Sequence, residues 1–358
     1  MNFLHWFQII LSLSLQATLL TAVACAVEWR CAAARVKARI WTCYYLGLLG
    51  LLAAALLLPR AHWVNPWQRL GDQVLLRVVS LQQSAALLLL AAWLTGLGYF
   101  AIRWIVQSLQ LHQFLRTCRS ATPAEDRLLR ATASTQLLAS AGRPVEFRIC
   151  PEELGPFCYQ LHQPTVYLPH SLVTGSPSEL RHVLQHELTH LQTQHPLQVF
   201  TQRVVQTALW FVPAVWNAGR RASLAREFVC DEAAVDHGAS PASYLRTLLR
   251  YAAQPSGGGA TLAIARSSSE LRVRAQRLAR PESIAPSRLA AWAPGLIVLA
   301  SLAASQAWLP TNPLASPKAS YSPWPAWSAA ALHAFDVSVR DFDQFDSRLQ
   351  IYELTQKQ

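Results

Sequence analysis

Two histidines four residues apart flank a glutamate in the run His186-Glu187-Leu188-Thr189-His190. On a helix, positions four apart share a face, so both imidazoles can reach one metal ion while Glu187 stands beside them. Zinc accepts neutral imidazole nitrogens, and a catalytic zinc needs three protein ligands with a fourth position open to water. Glu187 would then serve as the general base. The bland alternative is an amphipathic surface helix that carries two histidines by chance.

The helix that must hold these residues is signalled by its surroundings. Ser176 can cap its start, Pro177 suits the first helical position, and Glu179 stands where a capping box would place it. Leu180, Val183, Leu184, Leu188 and Leu191 recur at helical spacing and form an apolar stripe. A packed helix holds its ligands still, which favours a zinc site over incidental histidines.

The wider chain is that of a membrane protein. It is 52% hydrophobic and 14% charged, and the apolar residues come in blocks. Phe3 to Val27, interrupted mainly by His5, Gln8 and Gln16, Ile40 to Leu58, and Ser84 to Ile102 with its Leu87-Leu88-Leu89-Leu90 run can each cross a bilayer. A fourth span is expected from Leu289 to Leu309, with Trp292 and Trp308 at interface depth. The fold class expected is mainly α: a polytopic membrane protein with about four transmembrane helices and an α+β, zincin-like metallopeptidase domain. Its divisions are three spans in 1–106, the peptidase domain in 107–288, the fourth span in 289–309 and a Pro-rich tail in 310–358. No basic residues precede the first apolar stretch, so it is expected to stay as an uncleaved span.

Flanking cations set the expected orientation. Arg103, Arg116 and Arg119 follow the third span and Arg272, Arg274, Arg277, Arg280 and Arg288 precede the fourth, whereas Lys318 is the only cation close to its far side. The zinc domain is therefore expected in the cytoplasm, with the N-terminus and the C-terminal tail outside. The net charge of +11 sits largely beside membrane ends, where anionic lipid headgroups account for it, and no nucleic-acid-binding motif appears. Membrane lipid is thus an expected partner and direct nucleic-acid contact is not. The seven cysteines form no CxxC pair and all precede the fourth span; they are expected to be reduced and mostly small core residues.

Within the domain, Gln107 to Arg119 continues the third helix and Ala124 to Ala141 suggests another. Glu146 to Cys150 and Thr165 to Leu168, the latter between Pro164 and Pro169, are expected strands of a small sheet. A strand just upstream of the metal helix could pair with an extended substrate if it lay at an exposed sheet edge; an ordinary hairpin is the alternative. Pro196 to Trp216 is strongly apolar and is expected to pack against the bilayer surface or the spans, bent at Pro213. A helix from about Ala218 to His237 then carries Glu227.

The chain resembles the BlaR/MecR-type membrane zinc peptidases, the gluzincin-like antirepressor family of bacterial β-lactam sensor-transducers. The likeness covers roughly residues 1–310 and rests on three segments in family order: His186-Glu187-Leu188-Thr189-His190, Trp210-Phe211-Val212-Pro213-Ala214-Val215-Trp216, and Arg226-Glu227-Phe228-Val229-Cys230-Asp231-Glu232-Ala233. It implies that His186, His190 and Glu227 bind Zn²⁺, that Glu187 activates the water, and that Asp231 orients a ligand histidine. Asp231, one turn beyond Glu227, could accept a bond from an imidazole's free N–H. The alternative for Glu227 is a surface carboxylate paired with Arg226 or Arg221. Two positions depart from the family: His195 stands where it commonly has Asp, and Val212 where it has Asn. Neither is an expected ligand, so zinc binding survives while local hydrogen bonding differs.

Family sensors carry a large penicillin-binding domain outside, and the 310–358 segment has no Ser-x-x-Lys acylation motif, so direct covalent sensing of β-lactams is not expected. That segment opens with Pro310, Pro313, Pro317, Pro323 and Pro325 and suggests an extended linker, followed by a strand-like alternation of Phe335, Val337 and Val339 and an acidic run at 341–346.

The function expected is an integral-membrane zinc endopeptidase of the bacterial inner membrane, which cuts a protein substrate such as a transcriptional repressor and, in one version, itself. The oxyanion donor is left open among His237, His195 and Tyr167. A homodimer is also left open. The rivals are a signalling receptor or scaffold with a structural zinc site, and a membrane quality-control protease.

Overall fold

A computed structural model describes residues 3–58, 67, 71–151, 155–160, 163–236, 240–252, 268–279, 288–309, 324 and 326–339. The chain opens with three long helices, α1 (Phe3–Trp29), α2 (Ala34–Leu57) and α3 (Asp72–Thr117). All three are long and apolar enough to cross a membrane. Helix α3, 46 residues long, runs unbroken through the boundary expected at 106/107. After it come β1 (Arg119–Ser120), α4 (Pro123–Thr132), α5 (Thr135–Ser140), β2 (Glu146–Cys150), β3 (Phe157–Gln160), β4 (Pro164–Pro169) and α6 (His170–Val173). The expected single helix over 124–141 is two: Ala133 and Ser134 are extended, and Ser134 takes the start position of α5, a place Ser favours.

The site-bearing helices follow: α7 (Pro177–Gln192), α8 (His195–Ala208), α9 (Pro213–Asp236), α10 (Pro241–Ala252) and α11 (Ser268–Ala279). Helix α12 (Arg288–Ser305) and the short α13 (Ala326–Ala334) close the described chain. The helix at the expected fourth span, α12, ends at Ser305, before the end of the 289–309 segment. The chain leaves the helix at Gln306 because α1 captures its end. Gln8 and Gln16 donate to the carbonyls of Leu309 and Ala307, and Ser12 Oγ accepts from Leu309 N–H. Gln8, Ser12 and Gln16 of α1 therefore face the bundle interior, where polar groups in a membrane find partners.

Pro213 does not bend one helix; it starts a new one. It lacks an N–H, and the first helical position needs none, so α8 ends at Ala208 and α9 begins after a short turn. This turn packs on the spans as expected. Trp210 stacks on Phe100 of α3 and donates to the Trp93 carbonyl, and Tyr45 of α2 donates to the Val215 carbonyl. A Cβ at Gly96 would collide with the Trp210 ring, so glycine there sets how closely α3 and the turn approach.

The four strands form one sheet in the order β1-β2-β4-β3, with β2 and β4 parallel and the outer pairs antiparallel. Strand β4 is interior and buried throughout, so the strand expected at 165–168 cannot offer an edge to substrate. Strand β3, not anticipated, is the edge nearest α7. Side chains alternate between faces. Phe147, Ile149, Val166 and Leu168 meet Leu180, Val183, Leu184, Leu188 and Leu191 of α7 on one face. Cys150 and Tyr167 join Leu111, Leu115 and Cys118 at the end of α3 on the other.

The start of α7 also differs from expectation. Pro177 holds the first position, but Ser176 Oγ pairs with Ser178 Oγ and caps nothing, so the capping box is not made. Glu179 is drawn instead to Arg250 of α10 at 2.9 Å, an ion pair that a neutral cap does not match. In the tail, Trp327 lies within α13 and Phe335 sits in a turn rather than a strand. The prolines from 310 to 323, Pro325 and the acidic 341–346 run lie outside the described residues.

Candidate metal centre

Helix α7 presents His186 and His190 on one face, with their Nε2 atoms 3.3 Å apart. Glu227 of α9 faces both: its carboxylate lies 3.5 Å from His186 Nε2 and 3.7 Å from His190 Nε2. Three groups able to bind a metal through Nε2, Nε2 and carboxylate oxygen therefore converge. The two alternative partners of Glu227 turn elsewhere, Arg226 to Gln202 at 2.8 Å and Arg221 to Glu28 at 2.9 Å.

The opposite ring nitrogens are held from behind. Tyr244 of α10 has its hydroxyl 3.0 Å from His186 Nδ1 and donates to Asp231 Oδ1 at 2.7 Å. Burial first and Asp231 second push the Tyr244 hydroxyl well above its ordinary range, so it keeps the proton it donates. Its oxygen can accept from a protonated His186 Nδ1, which leaves the Nε2 lone pair for a metal. Asp231 itself is 3.5 Å from His186 Nδ1 and acts on this ring chiefly through Tyr244.

His195 takes the corresponding place behind His190. It is 3% exposed, and its Nδ1 lies 2.8 Å from His190 Nδ1. Burial, with the nearby Arg226 charge second, lowers its pKa to about 3, so the ring is neutral and can accept from His190 Nδ1–H. It faces the His190 nitrogen turned away from Glu227. Tyr167, another of the expected oxyanion candidates, faces away from α7. Strand alternation sends its ring to the far sheet face, where it stacks on Phe157 at 4.8 Å. His237 lies outside the described residues.

One buried and one half-buried arginine complete the cluster. Arg274 of α11 is 1% exposed and reaches Glu227 Oε2 at 2.7 Å with Nη1 and Asp231 Oδ2 at 2.8 Å with Nε. Burial would lower its pKa, but the Glu227 and Asp231 charges outweigh that and hold Arg274 above its ordinary range. One turn on, Arg277 pairs with Glu232, lies over the Phe228 ring and donates to the Ala32 carbonyl between α1 and α2. Neither Tyr244 nor Arg274 was singled out by sequence reasoning for the site; Arg274 counted there only as a cation near a span, and no local motif marks either.

Glu187 is 4% exposed and points toward the edge strand. The Cys158 thiol of β3 hydrogen-bonds it, and burial first, then the Glu187 charge, raise that thiol well above its usual range. Cys158 therefore stays protonated and donates to the carboxylate.

Cys230 gives a second possible ligand set. Its sulfur and one ring nitrogen from each of His186 and His190 all lie within 4.8 Å of one another. The two sets differ in direction. Cys230 Sγ lies 3.7 Å from His195 Nδ1, the atom behind His190, whereas Glu227 reaches both Nε2 atoms. Burial also raises the Cys230 thiol well above its usual range, and thiolate is the form that binds metal.

A cluster that could hold a metal ion thus lies beside apolar helices long enough to span a bilayer. Residues 70–278 match the family model described as BlaR1 peptidase M56, and the chain belongs to that family. No curated protein matches the chain.

Proposed function

We propose that this protein is a membrane-anchored zinc endopeptidase that cuts a cytoplasmic or membrane-proximal protein. The observation that carries the reading is the convergence of His186 Nε2, His190 Nε2 and the Glu227 carboxylate beside Glu187. Two neutral imidazoles and one carboxylate suit zinc and leave a coordination position for water. Zinc bound there would supply Lewis acidity to the scissile carbonyl and lower the pKa of a water. Glu187 takes the proton from the attacking water and delivers it to the leaving amine, while Cys158 holds its carboxylate in place. Strand β3 is the sheet's outer strand on this side, so an extended peptide can pair with it and cross toward Glu187.

Tyr244, Asp231, Arg274 and His195 position the ligands. Replacing Arg274 by Gln should weaken metal binding about 10–100-fold, the range for such supporting partners, as measured by competition with a zinc chelator. The arginines that flank α3 and α12 support a cytoplasmic peptidase domain in a bacterial inner membrane. A repressor-like substrate, with self-cleavage as a second event, is the signalling version of this activity. The Cys230 sulfur favours one rival: a closed zinc site with four protein ligands in a signalling scaffold.

The test is N-terminal peptide mass spectrometry on membranes that express wild type or Glu187→Gln at matched zinc content. Cuts found only with wild type are expected, in this protein or another, with turnover lowered at least ~10²–10⁴-fold in the variant. Retained cutting by Glu187→Gln would remove the general-base role, and identical peptide sets with and without cell-wall stress would favour the scaffold.

A further inference from the structure

Cys118 and Cys150 lie outside the metal centre and face each other across the far side of the sheet. Cys118 is the residue that ends α3, and Cys150 is the last residue of β2. Strands β1 and β2 are antiparallel, with Arg119 opposite Ile149 and Ser120 opposite Arg148. Extending that register by one residue places Cys118 directly opposite Cys150. Ala121 N–H donates to the Phe147 carbonyl at 3.1 Å, so 121 with 147 is a hydrogen-bonded pair. Alternation along the ladder then makes 118 with 150 a non-hydrogen-bonded pair, the type in which Cα atoms are about 4.5 Å apart and side chains are closest. That separation falls at the near end of the roughly 4.4–6.8 Å range compatible with a disulfide.

The side chains agree with the backbone. The two Sγ atoms are 2.8 Å apart, inside the ~3.5–4.0 Å of ordinary non-bonded heavy-atom contact. Both cysteines are free thiols, each 4% exposed, and Leu111, Leu115 and Tyr167 share their cluster. No other pair of described cysteines has a sulfur contact recorded at bonding range.

We propose that Cys118 and Cys150 are a redox pair that closes a disulfide and staples the end of membrane helix α3 to the sheet. The reverse face of that sheet carries α7. Two S–H bonds break and one S–S bond forms; the sulfurs give up two electrons and two protons. The acceptor is a small-molecule disulfide such as oxidised glutathione, which becomes two thiols. Exchange passes through a mixed disulfide on one cysteine, which the other then resolves. Burial, followed by the neighbouring Cys118, raises the Cys150 thiol, so thiolate is scarce and closure is slow, on the scale of minutes to hours. Exchange with reduced glutathione runs the same two steps backwards and reopens the staple.

The full chain, purified in detergent, should be equilibrated with glutathione at a series of oxidised-to-reduced ratios, acid-quenched, denatured and alkylated. Cys118 and Cys150 should become protected from alkylation together as the ratio rises, with loss of two hydrogens from the intact mass. Reductant should restore labelling of both. In Cys118→Ser, Cys150 should label at ratios where wild type is protected, or carry a glutathione adduct that wild type lacks. Full labelling of both cysteines at every ratio would overturn the proposal. So would glutathione adducts that never resolve in wild type, or a Cys118→Ser chain in which Cys150 still forms an internal cross-link.

Discussion

Helix α7 lies on the sheet, with Leu180, Leu184, Leu188 and Leu191 in the same core as Phe147, Ile149, Val166 and Leu168. Helix α9 is held by a different core, in which Val215, Ala218, Ala222 and Ala225 pack with Leu20 of α1 and with Trp41, Tyr45 and Leu48 of α2. The candidate metal centre sits on the seam between them. Both histidines come from α7, so helix geometry alone sets their mutual placement. Glu227 comes from α9, so its distance from them depends on how the membrane-helix core is docked against the sheet. The difference teaches that one half of the proposed ligand set is local and robust, whereas the other reports on packing among the apolar helices.

The strongest way to break this comparison is to remove the contribution of α9. Glu227→Ala should lower metal affinity by more than the roughly 10–100-fold typical of supporting partners, read by metal content after dialysis against chelator. Cys230→Ser should keep its metal. The opposite result would make the thiol the ligand from α9 and close the site.

Next in size is Leu184→Ala on the sheet side, where the side chain is fully buried. Removing it should cost about 2–5 kcal/mol of stability, seen as a lower unfolding midpoint in detergent. On the membrane side, Gly96→Ala drives a methyl group into the Trp210 ring and should cost about 1–3 kcal/mol. This variant sharpens the comparison, because a site placed by the spans should also bind metal more weakly. A lower midpoint with unchanged metal affinity would show that α9 is positioned without the α3 contact.

The smallest effect is expected far from the seam. Thr122→Ala removes half of the capping box that Thr122 and Glu125 make at the start of α4, and should cost about 1 kcal/mol with metal affinity unchanged. Arg119 first, and the Thr122 backbone next, hold the Glu125 carboxyl at about 2 instead of its ordinary 4.5. A carboxyl lowered on folding stabilises fully above 4.5, and that contribution is lost as pH falls toward 2. Solvent screening keeps it small. Thermal midpoints of wild type and Arg119→Ala should therefore converge over that window.

The site was legible where its residues are close in sequence. His186, Glu187 and His190 share one helical turn and its neighbour, and the apolar stripe beneath them is a local pattern. Glu227 and Asp231 were reached through resemblance to a family, since an isolated carboxylate has no spacing of its own to reveal it. Tyr244 and Arg274 carried no such signal: each meets the site only after α10 and α11 fold back over α7 and α9. The face that Tyr167 takes could not be read from its strand alone, because only the sheet says where each alternate side chain goes. The capping box at Ser176 failed for a related reason, since Arg250, remote in sequence, offered Glu179 a charged partner.

By itself, then, the sequence determined the apolar helices, the histidine-bearing helix and the chemistry its spacing allows, because helix periodicity and bilayer length are local constraints. The tertiary structure alone decided that β3 and not β4 is the edge, that His195 stands behind His190, and that Cys118 meets Cys150. Those are outcomes of strand order and helix docking, which arise from burying many weak contacts at once and leave no mark at any single position.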